Sequence, residues 1–202
     1  MLYIDFDGTL TTLSGQQTID LEIYHKLIQK WANGANKLGS HETKFKPHAE
    51  CVNLLKQILR HPNNHLRMTI NALSFLQWML EQEIEVIIIS RNRREFINAM
   101  LNAQSEMDKI TLNEKQIIIK DRMDLMDNLF FKNKGNIIEE WENNHANVSF
   151  TIICDDDPKD FKEMTEMVVT KNNLTTPIFI LAKSGEFDFA AIKQKIENAL
   201  MS

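Results

Sequence analysis

Five short runs of nearly unbroken apolar residues recur along this 202-residue chain, at 2–5, 85–90, 116–120, 149–155 and 177–182, and they leave few folds open. Runs this short, rich in isoleucine and lacking polar alternate positions, read as strands covered on both faces. Amphipathic segments fill the intervals. Residues 69–81 carry Ile70, Leu73, Leu76, Trp78 and Leu80, and similar patterns occupy 94–103, 135–143, 158–168 and 188–200. Strands alternating with helices in this way predict an α/β fold, a Rossmann-like three-layer arrangement around a parallel sheet. An apolar content of 43% is enough to cover such a sheet on both sides.

One interval breaks the rhythm. A crossover between parallel strands needs little more than a dozen or so residues, yet 13–66 separate the first strand from the helix that enters the second. Two helical patterns, 18–32 and 49–59, flank a loop-like run around Gly34, Gly39 and Ser40. The expected division is a catalytic core of 1–12 and 67–202 with a helical cap insertion of 13–66. An insertion directly after the first strand is expected to lie over that strand's carboxyl end, as a lid; a peripheral helical hairpin is the alternative.

The residues at the strand ends carry the chemistry. The first strand empties into Asp5-Phe6-Asp7-Gly8-Thr9-Leu10, two carboxylates one residue apart followed by a glycine that permits a tight turn. Open α/β sheets place ligands at the carboxyl edge, and paired carboxylates there suit a hard divalent cation held against a phosphate. Asp5 is the candidate nucleophile and Asp7 the candidate general acid and base. An aspartate with an ordinary pKa near ~3.9 is a poor acid at neutral pH, so the site has to raise that of Asp7.

Three further motifs point to the same edge. Ser90 ends the second run and is followed by Arg91 and Asn92; a hydroxyl and N–H groups there can hold a phosphate oxygen. Phe130-Phe131-Lys132-Asn133-Lys134-Gly135 precedes a helix, and a lysine at that point can offset growing negative charge. Lys134, adjacent to the helix start, is preferred over Lys132. The fourth run ends in Cys154-Asp155-Asp156-Asp157-Pro158-Lys159-Asp160. Three consecutive acids at a buried strand end repel one another unless a cation neutralises them. Asp157 before Pro158 also reads as a helix N-cap, which leaves Asp155 and Asp156 for the site.

In this order the four motifs resemble those of the haloacid dehalogenase-like (HAD) superfamily, and of its phosphatase branch. The resemblance implies magnesium bound by the Asp5 carboxylate, the Asp7 main-chain carbonyl and an acid of the fourth motif. The register Asp155-Asp156 with Asp160 favours Asp156 as the direct ligand, with Asp155 and Asp160 in support; a slip of one residue would give Asp155 that role. Ser90, Arg91, Asn92 and Lys134 would bind the phosphate. The expected activity is Mg²⁺-dependent phosphomonoester hydrolysis through an aspartyl-phosphate on Asp5. A catalytically silent binding module and a phosphotransferase or mutase are the alternatives. The expected partner is a phosphorylated substrate, a small molecule if the insertion roofs the pocket and a phosphoprotein if the cleft is open.

Other features exclude partners or carry little. A formal net charge of −5 gives no electrostatic footprint for nucleic acid or an anionic membrane surface. The apolar runs are strand-sized, far short of a membrane span, and with Met1 leading directly into the first strand no cleavable leader is expected. Cys51 and Cys154 are too few for a disulfide framework, so a cytoplasmic, reducing setting is expected, unless the chain is delivered elsewhere by another route. His61 and His65 have metal-like spacing, but Pro62 and two asparagines make that stretch a turn. Arg91, Arg93 and Arg94 beside Ser90 read as a solvated helix start, with guidance of an anionic substrate as the alternative, and Met164 and Met167 read as core.

Overall fold

The computed structural model describes residues 1–12, 48–60, 66–113, 116–127, 130–145, 150–171 and 177–201. In chain order the strands are β1 (Leu2–Ile4), β2 (Val86–Ile89), β3 (Ile117–Lys120), β4 (Met126–Asp127), β5 (Phe130–Phe131), β6 (Ile152–Asp155) and β7 (Ile178–Leu181). The helices are α1 (His48–Leu59), α2 (Ala72–Glu81), α3 (Arg94–Asp108), α4 (Arg122–Leu125), α5 (Lys134–Asn144), α6 (Pro158–Lys171) and α7 (Phe189–Leu200).

The five expected runs form one parallel sheet in the order β3-β2-β1-β6-β7. Alternation along each strand divides its side chains between two layers. Leu2, Ile4, Val86, Ile88, Ile152 and Cys154 face a core shared with α1, α2, α3 and α7. Tyr3, Ile87, Ile89 and Ile153 face the other side, against Ile137 and Ile138 of α5 and Met164 and Val168 of α6. Each fully buried isoleucine of this kind contributes about 1.5–3 kcal/mol, which is why uninterrupted apolar runs suit this sheet. The chain runs outward from β1 to β2 and β3, then returns to lay β6 and β7 on the other flank of β1. The crevice between β1 and β6 is therefore the topological switch point, where such sheets bind ligands.

Helix starts follow local chemistry. Asp188 caps α7 by accepting from the N–H groups of Ala190 and Ala191, and Asn133 caps α5 through the N–H of Asn136. The helix expected from residue 69 begins instead at Ala72. The preceding backbone is engaged elsewhere: Thr69 N–H donates to the Leu10 carbonyl (2.8 Å), and Thr11 and Met68 form an antiparallel bridge. The one-turn α4 and the short antiparallel pair β4–β5 are elements that the hydrophobic pattern did not suggest.

The expected insertion leaves and rejoins the core at neighbouring points, since Thr12 N–H donates to the Arg67 carbonyl at 2.9 Å. Its second helical pattern is α1, which packs on α3 and sends Val52, Leu55 and Leu59 into the main core. The pattern at 18–32 and the loop after it lie outside the described residues, as do His61 and His65. Among the described residues, no helix is long and apolar enough to cross a membrane.

Candidate active site

β1 delivers Asp5 to the carboxyl edge of the sheet, where its N–H still pairs with the Cys154 carbonyl of β6 (3.0 Å). Beyond it the chain turns over residues Phe6–Leu10, closed by Thr11 N–H on the Phe6 carbonyl (3.0 Å). Alternation persists into this turn. Phe6 goes down into the core, edge-on to Phe96 with ring centroids 6.2 Å apart, while Asp5 and Asp7 are left for the site. Gly8 takes a φ of +88°, and a Cβ there would lie 2.2 Å from Asp156 Oδ2, so glycine is required for both backbone and space.

The two aspartates are housed differently. Lys134 Nζ lies 2.6 Å from Asp5 Oδ1, 2.8 Å from Asp155 Oδ2 and 3.2 Å from Asp160 Oδ2, and this lysine is only 2% exposed. Asp7 has neutral partners: the Ser90 hydroxyl donates to its Oδ2 (3.1 Å) and the Asn92 amide to its Oδ1 (3.0 Å). Ser90 Oγ in turn accepts from Asn92 N–H at 3.0 Å, fixing the strand-to-helix turn.

Lys134 reaches Asp5 because α5 begins with it and because α5 lies hard against α6. A Cβ on Gly135 would stand 2.6 Å from the Glu163 carbonyl oxygen, an approach that only glycine allows. Lys132, the competing candidate, is paired with Glu140 at 2.9 Å, away from this cluster. Arg91 is not on Asp5; it clamps Asp160 with two bonds of 2.5 and 2.7 Å. Asp157 accepts from the N–H groups of Lys159 and Asp160 and so caps α6, as its position before Pro158 suggests. Arg94 pairs with Asp124 (2.8 Å).

The fourth motif separates into distinct environments. Asp155 is fully buried, with Oδ2 on Lys134 and Oδ1 accepting from Asp157 N–H at 2.8 Å. Asp156 has a looser contact, the Thr9 hydroxyl 3.4 Å from its Oδ1. Asp5, Asp155 and Asp156 can present one oxygen each within 4.8 Å of one another. Thr9, which lies in the first motif but was given no role by it, and the Ser184 hydroxyl from the turn after β7, which no motif included, are further site neighbours. Their only signal was position, directly after a glycine turn and directly after the last strand.

The electrostatics of this cluster are short of positive charge. Burial raises the pKa of Asp5 despite Lys134 beside it, and burial likewise raises that of Asp155. Burial raises Asp7 against the opposing hydrogen bonds from Asn92 and Ser90. Burial, and then the charge of Asp155, pushes Asp156 up to about 6. Burial would raise Asp160 as well, but its hydrogen bonds to Arg91 and the charge of Lys134 outweigh that and lower it. Lys134 itself would be lowered by burial, yet the surrounding carboxylates hold it well above its ordinary value. Hard oxygen donors with too little compensating charge fit a small divalent cation such as Mg²⁺.

Comparison with solved structures places this architecture. The chain superposes on the Legionella pneumophila effector Ceg4 with a TM-score of 0.76 at 22% identity, over 98% of this chain and 93% of that one. The HAD domain of the L. pneumophila effector Lem4 gives 0.68 at 23% identity, with the same coverage. A HAD-superfamily hydrolase from Ehrlichia chaffeensis gives 0.51 at 14%, over 98% of this chain and 96% of that one. The chain has the HAD fold. No protein-family model and no curated protein matches the sequence. In the HAD fold described here, the four strand-end motifs converge at the crevice between β1 and β6.

The raised carboxyls have a measurable consequence. The unfolded chain titrates its aspartates near ~3.9, whereas folded Asp156 titrates at about 6. Folding therefore favours the protonated form, and the metal-free protein loses this stability as pH rises from about 4 through about 6. Asp5, Asp7 and Asp155 act in the same direction. A divalent cation held by these oxygens would compete with protons for them, so Mg²⁺ is expected to raise the melting temperature more at pH 7.5 than at pH 5. Thermal melts with EDTA or Mg²⁺ at the two pH values check this; equal shifts would contradict it.

Proposed function

We propose that this chain is a Mg²⁺-dependent phosphomonoester hydrolase that works through an aspartyl-phosphate on Asp5. The observation that carries the reading is the separate housing of two aspartates one residue apart, Asp5 on a buried lysine and Asp7 on neutral donors. Environments that differ in this way assign different roles to chemically identical groups. The HAD fold supports it, since relatives in that fold include a hydrolase.

Asp5 attacks phosphorus through a carboxylate oxygen; that P–O bond forms as the bond to the ester oxygen breaks. Lys134 holds Asp5 in place through Oδ1 and offsets negative charge in the transition state. Asp7, whose carboxyl burial shifts toward the protonated form, gives its proton to the departing alkoxide. It then takes a proton from the water that attacks the aspartyl-phosphate, and inorganic phosphate leaves as the bond to Asp5 breaks. The Ser90 hydroxyl exchanges Asp7 for a phosphate oxygen when substrate binds, and Asn92 keeps Asp7 turned toward the reacting group.

Asp5, Asp156 and the Asp7 main-chain carbonyl would hold the cation. Asp155 would support from behind, because both of its oxygens already accept from protein donors. Bound Mg²⁺ supplies the positive charge that lets a phosphate dianion approach a cluster of carboxylates. The test is release of p-nitrophenol from p-nitrophenyl phosphate between pH 5 and 9, with Mg²⁺ and with EDTA. Metal-dependent turnover is expected; an inert protein on this and on a broad panel of phosphomonoesters would overturn the reading.

A further inference from the structure

The turn that follows β7 is pressed against the aspartate turn, backbone to backbone. Glu186 N–H closes it on the Lys183 carbonyl (2.9 Å), and Gly185 takes a φ of +75° within it. Gly185 N–H donates to the Gly8 carbonyl at 2.7 Å. A Cβ on Gly185 would meet the Thr12 carbonyl oxygen at 2.7 Å, so the contact leaves no room for a side chain.

This contact carries the Ser184 hydroxyl into the site. The point where a Gly8 Cβ would stand lies 2.5 Å from Ser184 Oγ and 2.2 Å from Asp156 Oδ2, so both oxygens border one small gap beside the glycine. Ser184 Oγ is buried and close enough to Asp156 to favour that carboxylate's ionised form, though the pair falls short of a well-formed hydrogen bond. A buried hydroxyl held this loosely contributes little until its acceptor comes into better geometry. Asp156 is loosely held in turn. The Thr9 hydroxyl is 3.4 Å from Asp156 Oδ1, beyond the usual spacing of about 2.7–2.8 Å for such a bond. Asp155, by contrast, has close donors on both oxygens.

We propose that Ser184 is a positioning residue of a divalent-cation site, its hydroxyl donating to Asp156 when that carboxylate is ionised on the metal. The assignment rests on the reading of Asp156 as a cation ligand. Groups that orient a ligand from behind usually account for about 10- to 100-fold in metal affinity. A hydroxyl that makes only a loose contact in the metal-free protein loses little when it is removed there. Ser184 therefore separates cation affinity from fold stability.

The experiment is calorimetric titration of metal-free protein with Mg²⁺ and with Mn²⁺, using wild type, Ser184→Ala, Ser184→Thr and Asp156→Asn. Wild type is expected to take up the cation and Asp156→Asn to lose it. Ser184→Ala is expected to bind about tenfold more weakly, and Ser184→Thr, which keeps the hydroxyl, to stay within about threefold of wild type. In EDTA, Ser184→Ala is expected to melt no lower than wild type. If Ser184→Ala does not fold, Ser184→Cys gives the same comparison with a near-isosteric but poor donor. Wild-type affinity in the variant lacking the hydroxyl overturns the proposal, as does an equal loss of stability in EDTA. A wild-type protein that takes up neither cation overturns the cation reading itself, which is a different result.

Discussion

Asp5→Asn is expected to lower the turnover of p-nitrophenyl phosphate by about 10⁴-fold or more, the scale seen when a covalent nucleophile is removed. An amide nitrogen or oxygen cannot form the acyl-phosphate, yet it keeps the shape of the carboxylate and can still accept from Lys134. The substitution also relieves the burial of one charge in a cluster that is short of positive charge. Its melting temperature in EDTA is thus expected to equal or exceed that of wild type. Loss of activity without loss of fold distinguishes a nucleophile from a structural acid. Asp7→Asn provides the internal contrast. Its proton matters most for poor leaving groups, so its defect is expected to be larger on an alkyl phosphate than on p-nitrophenyl phosphate. Retention of substantial turnover by Asp5→Asn would remove Asp5 from the mechanism.

Lys134→Met is the substitution expected to damage stability most. The lysine is the shared counter-ion of Asp5, Asp155 and Asp160, all of them buried. Removing one partner of a buried ionic network leaves unpaired charge inside the protein, at a typical cost of about 3–5 kcal/mol. For a domain of this size that corresponds to a melting temperature lower by roughly 10 °C. Only Asp160 retains a guanidinium, through its two bonds to Arg91. The loss is expected to shrink at pH 5, where the orphaned carboxyls can protonate. Turnover is expected to fall by about 10²- to 10³-fold, as when a single transition-state donor is deleted. Denaturant melts at the two pH values, together with kcat, check both halves. A pH-independent stability loss would mean that the lysine acts through packing alone.

The sheet was legible in the sequence because a strand buried on both faces leaves a signature that few other elements share. Val86–Ile89 and Ile117–Lys120 are nearly pure isoleucine and valine, and both lie inside the expected runs. Helix α2 was less legible at its start. The apolar spacing from Ile70 continues smoothly, but the backbone before Ala72 pairs with residues 10–12, a tertiary demand that periodicity cannot register. Helix α4 is a single turn stabilised by a reciprocal cap between Asp121 and Asp124, too short to show a repeat. The strand-end motifs could be read because their residue types are costly at a buried edge without a partner. Lys134 is preferred over Lys132 on sequence because it adjoins Gly135 and the helix start; the helix adds that Lys132 precedes the capping Asn133 while Lys134 opens the first turn. Ser184 was illegible for the opposite reason. A serine in a polar turn is ordinary, and its burial comes from where Gly185 meets Gly8.

Gly135 rests on main chain, yet it governs the contact in which Lys134 meets three carboxylates. Its missing side chain lets the first turn of α5 rest on the Glu163 carbonyl, and Lys134 inherits its position from that seat. The lysine and the acids that it serves are thereby joined through the spine of two adjoining helices rather than through flexible side chains alone. In a mutational screen scored only by turnover, larger residues at 135 would be grouped with those that alter chemistry, although their fault is one of spacing. Selection for function on this scaffold thus bears on positions that meet neither substrate nor metal, and glycine there is as restrictive as any charged residue beside it.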